Sequence, residues 1–381
     1  MTTKPEEPVY VTVSALDAGH LTIPDCFFVA GADPKVRTTI PSLSFLIQHP
    51  SAPPSSRGGA TTNLVFDLGI KRDLTGYTAA QQAQIAERQP VVTDPDCAAS
   101  LREGANGEGE GMHEPLLDPA AEVDFVIPSH VHWDHVGTPG DFARATFLVG
   151  SGTRALLRRG AAPFNPAEEF RADELPASRT VELPPPPRAT SRNHDGDGDA
   201  FDEYYAGPNT PAHTPTPADT EARLPRGAEA WAWRPAAGFP RAVDVFGDGS
   251  VHVVDSPGHV YGHVNVLART GAARYVYLAG DACHSPGILS GSSSGGSSGS
   301  GSSSGEKGKE EKEEIAEWED ERGRDGVRSI HVDTALAKAT LADIGAAVEK
   351  LRAEGVEVEV VLAHDRGWRE RNRSRFWPGR L

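Results

Sequence analysis

Residues His130-Val-His132-Trp-Asp134-His135 place four metal-ligand side chains within six positions, directly after the apolar run Val123-Asp-Phe-Val-Ile127. A strand that ends in a loop sets consecutive side chains around one point, as a compact metal site requires. Imidazole and carboxylate together suit zinc and similar borderline cations. The spacing also separates two tasks. His130 and His132 can converge on one ion, while Asp134 and His135 turn toward a second.

Such a site needs ligands from elsewhere in the chain, and the sequence supplies candidates. The strand-like stretch Ser250-Val-His-Val-Val254 runs into Asp255-Ser-Pro-Gly-His259-Val-Tyr-Gly-His263, where the Pro-Gly pair makes a turn that aims His259 inward. The apolar run Tyr275-Val-Tyr-Leu-Ala279 ends in Gly280-Asp281, and the run from Val356 to Ala363 ends at His364-Asp365. Near the N-terminus, Asn63-Leu-Val-Phe66 ends at Asp67-Leu-Gly69. Each acidic or imidazole side chain sits just past the C-terminal end of a predicted strand, where layered α/β scaffolds carry function.

With these residues in place, the chain resembles the metallo-β-lactamase superfamily. The match is H-x-H-x-D-H at 130–135, Pro-Gly-His at 259, Gly-Asp at 281 and the late His364, and it spans roughly residues 40–155 and 240–370. The resemblance implies an α/β fold, the four-layer αββα sandwich of the metallo-β-lactamase type with surface insertions. It implies two zinc ions per chain: His130, His132 and His259 on the first, Asp134, His135 and His364 on the second, and Asp281 bridging them. Asp67 matches the superfamily's first acidic motif and would orient a ligand. The 22 residues from His259 to Asp281 look like the N-acyl-homoserine lactonase branch. Many lactonases of that branch carry a Tyr three residues beyond the bridging Asp, whereas here that position is His284.

The chemistry expected of this set is metal-assisted hydrolysis. A metal-bridging hydroxide attacks an electrophilic carbonyl, Asp134 orients the nucleophile as well as binding metal, and His284 donates to the substrate oxyanion. The expected substrate is a small-molecule lactone or ester. A thioester hydrolase of the glyoxalase II kind uses similar ligands and is the nearest alternative. A mono-iron sulfur dioxygenase would need only three protein ligands, and an inactive binding protein would be expected to have lost some. Cys283 lies beside the site without an identified base, which argues against a nucleophilic role. Tyr261, His263, His252 and Trp133 read as framework.

Bulk properties exclude other classes. The formal net charge of −17 argues against a nucleic-acid partner. Residues 306–325 carry ten acids and five bases, so part of that charge belongs to one insert. The 3 cysteines cannot form a disulfide framework. The N-terminal residues lack the pattern of a signal peptide, and no apolar stretch approaches the roughly 18–20 residues of a membrane span. A cytoplasmic protein without a membrane partner is the expectation.

The ligands are scattered from 67 to 364, so one catalytic domain over 1–381 is expected, interrupted at 184–230 and 290–325. The first insertion contains Pro184-Pro-Pro-Pro187 and Asp195-Gly-Asp-Gly-Asp199. The latter lacks Gly at position six and Glu at position twelve of a calcium loop, and reads as a solvated turn. The second opens with a Ser/Gly linker, followed by a charged stretch over 306–323 that reads as a solvent-facing helix on an appendage. Strands are predicted over 8–15, 41–49, 62–67 and 145–149, helices over 78–88, 151–159 (opened by Ser151) and 334–353, and a polar loop over 98–120.

Overall fold

The computed structural model describes residues 7–50, 61–105, 117–161, 165–187, 224–226, 231–292, 313–319 and 327–381. Two six-stranded sheets dominate. In chain order the strands are β1 (Thr12–Pro24), β2 (Arg37–His49), β3 (Thr62–Phe66), β4 (Phe125–Ile127), β5 (Thr146–Val149), the short pair β6 (Gly160–Ala161) and β7 (Asn165–Pro166), and β8 (Thr180–Glu182). They continue with β9 (Arg234–Ala236), β10 (Phe239–Asp244), β11 (Val251–Asp255), β12 (Val264–Gly271), β13 (Arg274–Leu278), β14 (Trp318–Glu319), β15 (Val327–Arg328) and β16 (Glu357–Val361). The first sheet runs β1-β2-β3-β4-β5-β8 and the second β16-β13-β12-β11-β10-β9.

The central strands explain why the sequence shows continuous apolar runs rather than alternation: both faces of each sheet are covered. Phe45, Leu64, Phe66, Phe125, Ile127 and Leu148 point to the interior between the sheets, where they meet Val253, Val266, Val276 and Leu278. Their neighbours Leu46, Val65, Val126, Phe147 and Val149 point the other way. There they pack on helices α1 (Ala79–Glu87), α2 (Cys97–Glu103) and α4 (Thr153–Arg159), through Ile85, Leu101, Leu156 and Leu157; α3 (Pro119–Glu122) leads into β4. On the outer face of the second sheet, Val254, Leu267 and Tyr277 meet Leu341, Ile344 and Val348. Those three belong to α6 (Thr334–Ala353), which follows α5 (Pro286–Ser292) and precedes α7 (Arg366–Arg371). Helix, sheet, sheet, helix is the layer order, and the two-residue period of the strands produces it.

Several local expectations need correction. Part of the stretch 98–120 is helical, because Asp96 accepts a hydrogen bond from Ala99 N and starts α2. Ser151 does not open α4; the N-cap is Gly152, in the left-handed region with no side-chain cap. The described part of the charged stretch, 313–319, is not a solvated helix. Ile315 bridges to Val29, Ala30 N donates to Glu314 O, Ile315 is buried against the second sheet's outer core, and Ala316 is buried beside it. One apolar pair inside an acidic run suffices to dock it. The possible calcium loop at 195–199 and the Ser/Gly residues 293–305 lie outside the described residues.

Candidate metal centre

Every element carrying a candidate ligand stops at the same end of the sandwich. The turn after β4 presents His130, His132, Asp134 and His135; the loop after β11 presents His259; the turns just after β13 and β16 present Asp281 and His364. Two clusters carry the candidate ligands, His130 with His132, His259 and Asp281, and Asp134 with His135 and His364, and a third, overlapping one joins Asp281 and His364 to His284. The Asp281 carboxylate lies between the first two. Its Oδ2 is 3.5 Å from His259 Nε2 and 3.8 Å from His130 Nε2. Its Oδ1 is 3.2 Å from both His135 Nε2 and His364 Nε2. Asp134 Oδ2 is 3.7 Å from His364 Nε2, and His132 Nδ1 is 2.9 Å from His130 Nε2 and 3.0 Å from His259 Nε2.

The outward nitrogens show what the inward ones can do. His364 Nδ1 donates to Pro41 O at 2.7 Å and His132 Nε2 to Asn165 Oδ1 at 3.0 Å. His135 Nδ1 donates to Asp67 Oδ2 at 2.9 Å. Ser129 Oγ donates to Asp67 Oδ2 at 2.8 Å and therefore accepts from His130 Nδ1 at 2.9 Å. A neutral imidazole with its proton on one nitrogen is an acceptor at the other. In their neutral forms the four rings thus aim lone pairs at one another and at a carboxylate. His135 Nε2 and Asp281 Oδ1 are buried and make no hydrogen bond. Facing acceptors in a buried site call for protons or cations between them. The donor set, imidazole and carboxylate, fits divalent cations such as zinc.

Electrostatics divide the rings accordingly. Burial, reinforced by neighbouring imidazoles, pushes His130 and His259 well below the ordinary histidine value. Burial also opposes charge on His135, but Asp281, Asp67 and Asp134 outweigh it and hold that ring well above. His364 is raised by Asp281 and Asp134 against the same burial cost. Burial alone would raise Asp281, yet His135, His364 and His284 hold it well below the carboxylate range.

Asp67 has a strained backbone, with φ at 60°, and accepts from Ser129 N at 2.6 Å as well as from the two groups above. Strain held at such a junction is typical of a functional position. Gly258, at φ 122°, is where the chain passes α6 most closely: a Cβ there would lie 2.3 Å from Ala337 N. Glycine is required for His259 to project where it does.

The centre opens into a cavity of about 540 Å³. Leu21, Ile23, Phe27 and Ile40 give it an apolar wall, and His132, Asp134, Asp281 and His364 line its floor. His284 forms part of the same wall. Its Nε2 donates to Asp281 Oδ2 at 3.0 Å, while its buried Nδ1 makes no hydrogen bond. His263 accepts from Asp281 N at 3.1 Å and donates to Ser256 O at 3.0 Å, with burial lowering it to about 3. His252 is buried in β11, and Trp133 packs edge-on against Tyr77. Burial pushes the Cys283 thiol up to about 12, which suits no nucleophile.

Two residues of the centre escape sequence reasoning, Asn165 behind His132 and His331, whose Nδ1 is 3.2 Å from His259 Nδ1. An Asn in a two-residue strand carries no signal. The only hint at His331 is its place just before the capped start of α6 at Asp333.

Comparison with known proteins agrees with this geometry. No family model matches the chain. Metallo-hydrolase mfmC of Annulohypoxylon moriforme is 28% identical over 295 residues, covering 76% of this chain and 61% of that protein. Gamma-lactamase FDB1 of Fusarium pseudograminearum is 27% identical over 253 residues, covering 65% of this chain and 46% of that protein. The chain thus spans less than two thirds of these relatives. Among solved structures, the Bacillus thuringiensis protein AiiA, with N-decanoyl-L-homoserine bound at its active site, superposes with a TM-score of 0.55 at 13% identity. That match covers 98% of this chain and all of the other. A quorum-quenching N-acyl homoserine lactone lactonase gives 0.53 at 13% identity, covering 99% of this chain and 100% of that one. At such identity the likeness establishes the fold. Among the described residues, no helix is long and apolar enough to cross a membrane.

Proposed function

We propose that the chain is a hydrolase of the metallo-β-lactamase superfamily, a dinuclear zinc enzyme that opens the ring of a small lactone or other ester. The observation that carries this reading is Asp281, whose two carboxylate oxygens each face a separate group of inward-pointing imidazoles. His130, His132 and His259 would hold the first ion and Asp134, His135 and His364 the second, with Asp281 available to both. We read the whole of 1–381 as one catalytic domain with insertions at 184–230 and 290–325, because the ligand set needs both sheets.

When bound, two divalent cations acidify water toward neutral pH and polarise a carbonyl. Asp134, on the cavity floor, orients the attacking water by accepting from it. Water adds to the acyl carbon, giving one proton to Asp134, the ring C–O bond breaks, and the acid so formed loses its proton to solvent, leaving a carboxylate and an alcohol. His284 supplies a proton to the departing oxygen from Nε2, the nitrogen that now donates to Asp281. The apolar wall around Leu21, Ile23, Phe27 and Ile40 takes the body of the substrate and excludes bulk water.

A cyclic amide is the second reading, favoured by the two relatives named gamma-lactamases, each 27% identical. A departing nitrogen demands a proton more than an oxygen does, so His284 would matter more there. Elemental analysis tests both readings; a pH-drop assay reads lactone and thioester opening, and chromatographic detection of the amino acid reads lactam opening, where the freed amine keeps the proton. The panel comprises acyl-homoserine lactones, simple γ- and δ-lactones, γ-lactams and glutathione thioesters. The expected result is close to two zinc ions per chain and ring opening that a chelator abolishes. Thioester turnover alone, or a single bound iron, would overturn the proposal.

A further inference from the structure

We infer that His331 is a positioning residue of the metal centre: its Nδ1 accepts the Nδ1 proton of His259 and so keeps the Nε2 lone pair of His259 turned toward the first metal. The inference rests on the dinuclear reading above. Four of the five candidate imidazole ligands have their outward nitrogen bonded to an acceptor, namely Ser129 Oγ, Asn165 Oδ1, Asp67 Oδ2 and Pro41 O. His259 is the fifth, and the group at its outward nitrogen is another imidazole, 3.2 Å away. The two rings meet edge to face, with centroids 5.1 Å apart and planes at 78°. His259 Nε2 faces His132 Nδ1 and Asp281 Oδ2, so a proton there would occupy the metal's place. The proton therefore belongs on Nδ1, and His331 Nδ1 must accept it.

The chain around His331 is built to hold that contact. Val332 N donates to His259 O and Asp333 N to Gly258 O, both at 2.9 Å, so the segment is bonded to the very turn that carries the ligand. His331 N donates to Ser329 Oγ at 3.1 Å, and Ser329 Oγ lies 2.6 Å from Thr334 Oγ1. Thr340 Oγ1, on the second turn of α6, donates to Pro257 O at 2.6 Å. Asp333 caps the helix through Leu336 N. The His331 side chain is 2% exposed, so water does not compete as a partner.

Zinc affinity separates the contact from mere packing. Wild type, His331→Leu and His331→Asn are titrated with Zn²⁺ against a chromophoric chelator. Leu fills space but accepts nothing, whereas the Asn amide oxygen can stand where His331 Nδ1 stands. His331→Leu is expected to weaken one zinc by about 10–100-fold, the usual effect of removing an outer partner of a ligating histidine. His331→Asn should restore most of that loss. In the zinc-loaded wild type, ¹⁵N spectra should show His259 protonated at Nδ1. Unchanged zinc affinity in the Leu variant, or equal loss in both variants, refutes the role of His331 while leaving the dinuclear site intact. A wild type that binds no zinc removes the reading beneath it instead.

Discussion

Replacing Asp67 by Asn alters only what its Oδ2 accepts, the bonds from His135 Nδ1 and Ser129 Oγ, of which the first sets the tautomer of a candidate ligand directly. Asn tolerates a φ of 60° as well as Asp does, so the backbone can stay as it is. Its single carbonyl oxygen can still accept from Ser129 N, which lies 2.6 Å from Oδ1. The amide nitrogen then faces His135 Nδ1, 2.9 Å from the oxygen it replaces. Two donors now confront each other. Either the bond breaks, or the His135 proton moves to Nε2 and points at Asp281 Oδ1, 3.2 Å away, where the second metal's ligand atom should be. A hydrogen bond to a charged group contributes about 1.5–3 kcal/mol, which converts to about 10–100-fold in affinity for one of two zinc ions. Competition against a chelator at fixed pH reads that number. Asp67→Ala should lose more, because Ser129 N is then buried without an acceptor and the residue no longer tolerates the left-handed backbone. If Asp67→Asn binds both zinc ions as tightly as wild type, the tautomer argument made for every ligand here is wrong.

His284→Ala should lower turnover by about 100-fold or more, as loss of a general acid does, with two zinc ions retained; unchanged turnover, or loss of a metal, means that His284 is not the donor. Gly258→Ala forces a Cβ to within 2.3 Å of Ala337 N at a φ of 122°. Strain and overpacking together should lower the stability by about 2–5 kcal/mol, read as a fall in the urea midpoint, and an unchanged midpoint contradicts the close approach. Metal uptake should strengthen as pH rises. His135 and His364 are held above the ordinary histidine value, so each must release a proton before its nitrogen can ligate. Calorimetry in buffers of different ionisation enthalpy should detect that release on zinc binding, and a pH-independent affinity would rule it out.

How much of this was legible depended on distance along the chain. His130, His132, Asp134 and His135 are neighbours, and their order after a run of β-branched and aromatic residues already describes a strand emptying into a ligand loop. Asp281 and His364 stand out in the sequence because each closely follows an apolar run. The capping residue Asp96 is visible in the sequence, but the seven-residue helix it starts has too few turns to show a period. The segment 313–319 misled because charge dominates composition, whereas Ile315 and Ala316 decide where it packs.

Sequence alone determined which side chains could bind a cation and that they stand just past strand ends. These are local properties, fixed by residue type and by order along the chain. Only the tertiary structure decided which ring nitrogen faces inward, because that depends on the outer partner of each histidine. Asn165 lies 33 residues from His132, His331 lies 72 from His259, and Pro41 lies 323 from His364. Separations of that size are closed by packing between layers, and no pattern along the chain records them.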